Sequence, residues 1–372
     1  GVYMKFTCQR SDLSSAIQNA SKALSARPSI AILEGIHLIA EEGCLKLTCS
    51  DGSLYIRSEV PADVLETGSV VVDARLFSDI IRHFPEGTVS VNMDEKRLIS
   101  IKGIGSRSTI TGQSDGNYPA MSRLFETAGI HVPQSILKNM IGHVLFAIAV
   151  GEVREALNGG YFEISKNELR LVGLDGFKLS IQKFQDSFVL SEGRDTLSCI
   201  IPAKVLAEVA YMCADSEEPL TIHIESSQIM FVIANNIIVS SLYAGSFINY
   251  QSLLPKSWET RVVVRKDKIQ GAVERAGLIA RSLNSNIVKL SIGEGKLMIT
   301  SRSEVGDVYE EMDVEIDGKP VEIAFNGKYL SEVIKNVDED IAEIFINGPL
   351  APCVMSSRGD ENHTYLLMSV RI

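Results

Sequence analysis

Apolar positions along this chain fall into two alternating rhythms. Short stretches with every second residue apolar give way, six times, to an apolar triplet at i, i+3, i+4. The triplets are Leu13/Ala16/Ile17, Phe77/Ile80/Ile81, Leu137/Met140/Ile141, Leu206/Val209/Ala210, Ile269/Ala272/Val273 and Leu330/Val333/Ile334. Their first members lie 64, 60, 69, 63 and 61 residues apart. A period that regular marks one supersecondary unit copied six times. The triplet spacing suits an amphipathic helix and the every-second-residue spacing a strand with one buried face.

The strand stretches sit at fixed places around each helix. Ser69–Asp73 precedes the second helix, and Thr88–Asn92, Leu98–Lys102 and Ser108–Thr111 follow it. The fourth unit repeats this with Ser198–Ile201, then Leu220–Glu225, Gln228–Ala234 and Ile237–Leu242. The sixth has Val321–Ala324, then Ala342–Ile346, Cys353–Ser356 and Thr364–Val370. Turn residues separate the strands, as at Glu41-Glu42-Gly43, Asn235-Asn236 and Gly293-Glu294-Gly295. Each unit therefore reads βαβββ. A narrow apolar helix stripe packs on a sheet and leaves its other face wet. The expected fold is α+β, with helices on one side and sheet on the other. The pattern lapses near Phe125–Gly129 and Pro255–Glu259. Three similar domains of two units each follow: 1–126, 127–254 and 255–372.

Charge sharpens this picture. The chain of 372 residues carries a net −11, which by itself disfavours nucleic acid. Yet the six helical stretches (9–27, 74–84, 134–147, 203–215, 265–281 and 326–338) together carry +6, leaving −17 on everything else. If the helices face one way, that face is the basic one. The competing reading is that surface helices simply carry extra lysines. An apolar share of 45% with 22% charged residues is that of an ordinary soluble globular protein. No apolar run reaches the ~18–20 residues needed to cross a bilayer, so no membrane partner is expected. Met4 reads as the native start, with Gly1–Tyr3 as residues ahead of it.

Signals for catalysis are weak. Gly103-Ile104-Gly105 does not continue to a dinucleotide fingerprint, and Gly327-Lys328 lacks the upstream glycine of a phosphate loop. The six histidines are scattered and no nucleophile elbow occurs. The six cysteines form no CxxC pair, so they read as small apolar residues of a reduced, cytoplasmic protein. Neither cofactor nor metal is expected, and the chain reads as a non-enzyme.

Signals for binding are stronger. Arg27 closes the first helix, Arg75 opens the second, Lys138 lies on the third, and Lys266, Lys268, Arg275 and Arg281 crowd the fifth. Cations without interleaved aromatic residues suit phosphate contact and not base stacking, so binding of this kind is sequence-independent. The tail Tyr365–Ile372 is apolar almost to its last residue. One reading is a closing strand. The other follows from strand alternation: some of these side chains leave the sheet interior and help form an apolar groove for a peptide.

Several segments, in their order and spacing, resemble the bacterial DNA polymerase III β subunits, the sliding-clamp family. They are Met4-Lys5-Phe6-Thr7, Arg27-Pro28 with Ile32-Leu33, and Asp73-Ala74-Arg75-Leu76-Phe77 running to Phe84-Pro85-Glu86-Gly87. Leu157-Asn158-Gly159, Leu174-Asp175-Gly176-Phe177-Lys178-Leu179, Phe247 to Pro255, Phe325-Asn326 with Tyr329, and the tail complete them. The similarity runs from Met4 to the end. It implies a DNA-clamp fold, in which a head-to-tail homodimer ring encircles double-stranded DNA with helices inside and sheets outside. It also implies short-linear-motif partners: the polymerase III α subunit, the clamp loader and repair polymerases.

The resemblance places the peptide pocket at Leu157, Leu174, Gly176, Phe177, Lys178, Leu179, Ile248, Leu253, Asn326, Tyr329, Leu350, Pro352, Leu366, Leu367, Met368, Val370 and Arg371. Ile248 stands where the family often has proline, Ser252 for arginine and Ser369-Val370 for Pro-Met, so motif preference is expected to differ in detail. It adds Arg154 and Lys204 to the DNA contacts, although Glu155-Ala156 and Ala203 depart from the family pattern beside them. It places the subunit interface at Arg107, Ser108 and Ile110 on a strand, against Leu278 and Ile279 on a helix, with Glu304 and Glu310 as acidic partners. The function expected is a processivity factor for DNA replication and repair, without catalysis or cofactor, at the nucleoid of the cytoplasm. The alternatives are a repeat-built peptide scaffold that never meets DNA, and an enzyme built on an isolated carboxylate pair.

Overall fold

The computed structural model describes residues 3–122, 125, 127–283 and 286–372, with the side chain of Leu283 left aside. All six repeats are present. The first runs β1 (Met4–Gln9), α1 (Arg10–Ala20), β2 (Gly35–Glu41), β3 (Cys44–Ser50) and β4 (Leu54–Pro61), followed by a short β5 (Asp63–Glu66). The second is β6 (Gly68–Asp73), α2 (Ala74–His83), β7 (Thr88–Met93), β8 (Leu98–Gly103) and β9 (Ser106–Thr111). The third is β10 (Ile130–Pro133), α3 (Gln134–Gly142), β11 (Gly159–Ser165), β12 (Glu168–Leu174) and β13 (Lys178–Gln185). The fourth is β14 (Thr196–Pro202), α4 (Ala203–Met212), β15 (Pro219–Ile224), β16 (Gln228–Ile233) and β17 (Asn236–Ser241). The fifth is β18 (Thr260–Arg265), α5 (Lys266–Ala280), β19 (Ile287–Gly293), β20 (Lys296–Ser303) and β21 (Gly306–Asp313), followed by β22 (Glu315–Gly318). The sixth is β23 (Val321–Asn326), α6 (Gly327–Lys335), β24 (Ile341–Ile346), β25 (Cys353–Ser357) and β26 (His363–Leu367).

The helix triplets are the core. Every member is buried except Ile80 and Ala210, which are half-buried. Caps define two helix starts sharply. Asp73 accepts a hydrogen bond from the Leu76 amide, and Asn326 accepts from the amides of Lys328 and Tyr329, satisfying donors that the first helical turn leaves free. The first helix stops at Ala20, passes through a 3-10 turn to Ala23 and turns extended at Leu24. Arg27 therefore lies beyond the helix it was expected to close. Strands β5 and β22 escape the periodic pattern because no residue in either is buried. They pair with β1 and β18 at the corresponding places of the first and fifth repeats.

The pairing of repeats follows one rule. The first strand of each repeat leaves its own three-strand meander and joins the meander of its neighbour. Thus β1 pairs with β7 and β6 with β2; β10 pairs with β15 and β14 with β11; β18 pairs with β24 and β23 with β19. A second rule concerns the last strand of the meander. That of the first repeat pairs with that of the fourth (β4 with β17), and that of the third with that of the sixth (β13 with β26). The sheets that result have five, eight, nine and four strands.

These junctions explain why the chain forms two compact units. One comprises Gly1–Lys138, Val189–Gly193 and Ala207–Leu242, the other Asn139–Phe188, Arg194–Leu206 and Tyr243–Ile372. Each half of the central domain shares a continuous sheet with an outer domain. In the second unit, α5 and α6 pack together over a core that includes Ile269, Val273, Leu330, Val333, Tyr365 and Leu367. The thiols of Cys8, Cys199, Cys213 and Cys353 are pushed up to about 12 by burial, so they behave as apolar groups. No helix among the described residues is long and apolar enough to cross a membrane.

Candidate peptide groove and basic surfaces

In the second unit, β12 and β13 meet at a turn set by Asp175, whose carboxylate accepts from the amides of Phe177 (2.9 Å) and Lys178 (2.8 Å). Gly176 sits at φ +85°, where a side chain is strained. The turn thrusts Phe177 outward, 54% exposed, with its ring 5.3 Å from that of Tyr329. The Met368 amide donates to the Phe177 carbonyl at 2.9 Å and ties the chain terminus to the same turn.

Strand alternation then divides the residues expected to line a pocket. Leu174 stands opposite Leu179, Leu179 opposite Leu366, and Leu366 opposite Val354. With Val172, Ile181 and Tyr250 they form an apolar cluster, covered in part by Phe247, Ile248 and Leu254 of the segment before β18. The neighbouring positions belong to the other face. Leu367 is buried in the core beneath α5 and α6. Lys178, opposite Leu367, is 6% exposed and reaches Glu332 of α6 at 2.7 Å and Asp175 at 3.2 Å. Its ammonium lies 4.5 Å from the Tyr329 ring centroid and 5.7 Å from that of Phe146. Leu367 and Lys178 thus lie on the face opposite to that of Leu179 and Leu366, because adjacent residues of a strand point to opposite faces.

Burial acts on Lys178 most strongly and favours the neutral form. Glu332 and Asp175 together outweigh it, so the pKa is raised above the ordinary lysine value. The raised direction means that the pair's stabilisation is complete below the unfolded-state value of about 10.5 and is lost as pH rises through the folded value. Glu332→Gln is expected to cost about 1–3 kcal/mol at pH 7, less than a fully buried pair because Glu332 is partly exposed and Asp175 remains. Denaturant unfolding checks this, and a change below 0.5 kcal/mol would remove the support role.

The other residues expected to line a pocket differ in exposure. Leu253, Leu350 and Met368 are large apolar side chains that remain 43%, 58% and 41% exposed. Ile248, Asn326, Pro352 and Val370 are half-buried, as is Leu157 in a 3-10 turn before β11, while Gly176 and Arg371 are exposed. The last strand stops at Leu367, short of the expected Val370. From there the tail crosses to the edge of another sheet, where Val370 bridges Ala324. Exposed Phe177 beside Tyr329, on the turn that joins Leu174 and Leu179 of the buried apolar row, is a surface suited to leucine and aromatic anchors.

The cations differ in availability. Arg27, Arg75, Lys268 and Arg281 are exposed. Lys138 pairs with Asp215 at 3.1 Å, Lys266 donates to the Lys335 carbonyl, and Arg154 donates to the Ser246 carbonyl at 2.9 Å. Lys204 is exposed on α4. Arg275 and Glu310, expected on a DNA surface and a subunit interface respectively, instead bind each other. The guanidinium donates twice to the carboxylate, at 2.6 and 3.0 Å. Ion pairing raises the arginine pKa and lowers that of Glu310.

Of the remaining interface candidates, Leu278 is 66% exposed, Ile279 and Ser108 are half-buried, and Arg107 and Glu304 are exposed. Ile110 is only 7% exposed and lies opposite Ile99 within its own sheet. Beside β9 lies a shallow depression of about 610 Å³ lined by Ile80, His83, Phe84, Arg107 and Ser108. The charge pattern had offered no means of telling Arg275 from Lys268, since pairing with Glu310 requires the α5–β21 contact.

Comparison with known proteins finds relatives along nearly the whole chain. Profiles described as the N-terminal, central and C-terminal domains of the DNA polymerase III beta subunit match residues 4–122, 131–249 and 251–371. The beta sliding clamp of Staphylococcus aureus is 31% identical over 378 residues, covering 99% of both chains. That of Staphylococcus epidermidis is 30% identical with the same coverage. The crystal structure of the Bacillus subtilis DNA polymerase sliding clamp superposes with a TM-score of 0.95 at 29% identity, covering 100% of each chain. The Thermotoga maritima DNA polymerase III beta subunit shares the fold, with a TM-score of 0.90 at 24% identity over 99% of this chain and 100% of the other. A three-domain clamp fold of six repeats, matched end to end by relatives of this identity, means that the chain belongs to the bacterial β sliding clamp family, the accessory and non-catalytic processivity subunits of DNA polymerase III.

Proposed function

We propose that the protein is a ring-forming processivity clamp: two copies, head to tail, encircle duplex DNA and hold replication and repair proteins through the groove on domains two and three. The observation that carries this is the pairing of meander-closing strands. Repeat one pairs with repeat four and repeat three with repeat six, through β4–β17 and β13–β26. The same step from repeat five leads past the end of the chain, to repeat two of another copy. The strands concerned, β21 and β9, lie at the ends of their sheets, and an open edge strand is a template for pairing. A heterologous contact of this kind closes into a ring when its rotation permits.

Helix spacing supports two copies. Six helices side by side at 8–10 Å make a circumference of about 50–60 Å, which leaves almost no opening. Twelve make about 100–120 Å, with roughly 20–28 Å clear once helix thickness is removed. That admits a duplex.

In this reading the domains are 1–126, 127–254 and 255–372, of which Glu126 lies outside the described residues. Exposed Arg27, Arg75, Lys268 and Arg281 attract phosphate without reading bases, so the ring slides, while the acidic remainder repels DNA from the outside. Partners that carry a short motif, the replicative polymerase, clamp loader and repair polymerases, place apolar anchors over the Leu174–Leu179–Leu366 floor. The work is done in the cytoplasm, at the nucleoid. Loaded with its clamp loader and ATP, the protein is expected to stay on circular DNA through a high-salt wash and to leave when the circle is cut. Equal retention on both forms would end the topological reading, and retention on neither would favour a peptide scaffold.

The subunit contact can be tested separately. Ile110 supports its own sheet, so the useful substitution is at exposed Leu278, which would seat in the depression beside the other copy's β9. Leu278→Asp is expected to turn a dimer into monomers in sedimentation at micromolar concentration, with the unfolding midpoint of the monomer unchanged. A persistent dimer would remove Leu278 from the interface.

A further inference from the structure

The apolar row beneath the groove extends one strand further than the groove uses. Register carries it from Leu179 on β13 through Leu366 on β26 and Val354 on β25 to Phe345 on β24. The segment before β18 lies over its middle, through Phe247, Ile248, Tyr250 and Leu254. Beyond that cover a separate cavity of about 300 Å³ opens, walled by Pro255, Trp258, Phe345 and Val354, with Lys256, Ser257 and Asn347 as its polar members. Trp258 is 42% exposed, and its ring stands 6.0 Å from that of Phe345. Lys256 is exposed and has no ion-pair partner among the described residues. An open, mainly apolar cavity thus lies beside a half-exposed tryptophan and a cation with no ion-pair partner among the described residues.

We propose that this cavity is a second anchor site for the peptides that occupy the groove, taking an aromatic side chain flanked by a carboxylate that meets Lys256. The inference rests on the groove being a peptide site and names what lies beyond it. Val354 is common to both places: it packs against the groove's floor and walls the cavity. The aromatic wall suits an aromatic ring, and the lone ammonium suits a carboxylate. Geometry also fixes the reach. From β13 to β24 are three strand spacings of about 4.8 Å, or roughly 14 Å, which an extended peptide spans in four or five residues. A partner that uses both sites therefore carries an aromatic residue four to five positions from its groove anchors, on one side or the other.

Trp258 is the only tryptophan of the chain, so incorporation of 5-fluorotryptophan into the intact protein gives one fluorine resonance at the proposed site. The probes are synthetic peptides. The first is a leucine–serine–phenylalanine anchor segment alone. The others carry Phe-Asp joined through spacers of one, four or eight Gly/Ser residues at either end. Anisotropy reports total binding, and the resonance reports the cavity. The four-residue spacer is expected to bind about tenfold more tightly than the anchor alone and to shift the resonance, which the anchor alone leaves in place. Trp258→Ala and the cavity-blocking Asn347→Arg should each remove that tenfold gain without changing anchor binding. No gain at any spacer length, or an equal loss for all peptides on substitution, overturns the second site. Loss of all binding only in Phe177→Asp confirms the groove independently. Failure of the anchor to bind the unaltered protein would sink the groove reading itself and, with it, the extension.

Discussion

Reversing charge at Arg75, Lys268 and Arg281 together, each to Glu, is expected to abolish polymerase stimulation on primed DNA while the dimer persists. These three side chains are exposed, and none has an ion-pair partner among the described residues. Every cation that neutralises a phosphate releases a counterion and contributes close to one unit of slope to the dependence of log affinity on log salt. Replacing three per chain, hence six in the proposed two-copy ring, removes those contacts and adds six repulsions. Stimulation should fall to the level of polymerase alone, as measured by product length in a single-turnover extension at moderate salt. Arg275 is left out on purpose. Its guanidinium is held by Glu310, so Arg275→Glu would place two carboxylates together at a sheet edge and confuse lining with interface. Undiminished product length in the triple variant would show that these cations do not face the DNA.

The second large effect concerns partners. Phe177→Asp combined with Met368→Asp should weaken binding of the polymerase α subunit by more than 100-fold. Both side chains are exposed, at 54% and 41%, so their loss creates no cavity in the core. Each anchor contact removed is worth about 1.5–3 kcal/mol, and 2.8 kcal/mol is already a factor of about 100. Loading on circular DNA should fail for the same reason if the clamp loader uses the same groove. Surface plasmon resonance against immobilised polymerase decides the matter, and a change under threefold would move the partner site elsewhere. Comparison with Glu332→Gln separates lining from support: that variant should lose stability with little loss of affinity.

Much of this was legible in the chain, and the reasons can be seen in particular residues. Leu330, Val333 and Ile334 mark a helix wherever they occur, since only a 3.6-residue period brings them to one face. Leu366 and Leu367 were legible as a pair that must split between two faces, but not which member went where. That choice depends on the register of β26 against β25 and against β13, whose residues lie almost two hundred positions away. Lys178 read as a pocket residue through the family resemblance of the Leu174–Leu179 segment. The structure turns it to the helix side, where Glu332 awaits it. Ile110 read as an interface residue through the same resemblance, yet it is buried, with Ile99 opposite it in its own sheet.

The sequence by itself determined the unit and its number: six helices with one apolar stripe each, strands with one buried face, and a basic bias on the helical stretches. These are local properties, set by the period of apolar residues over a few turns or a few strand residues. Only the tertiary structure decided which strands meet. The exchange of first strands between neighbouring repeats, the joining of repeat one to four and three to six, and the commitment of Arg275 to Glu310 are contacts between segments distant in the chain. Local periodicity is the same whichever partner a strand finds, so the selection is made by the packed core, where one pairing buries every stripe at once.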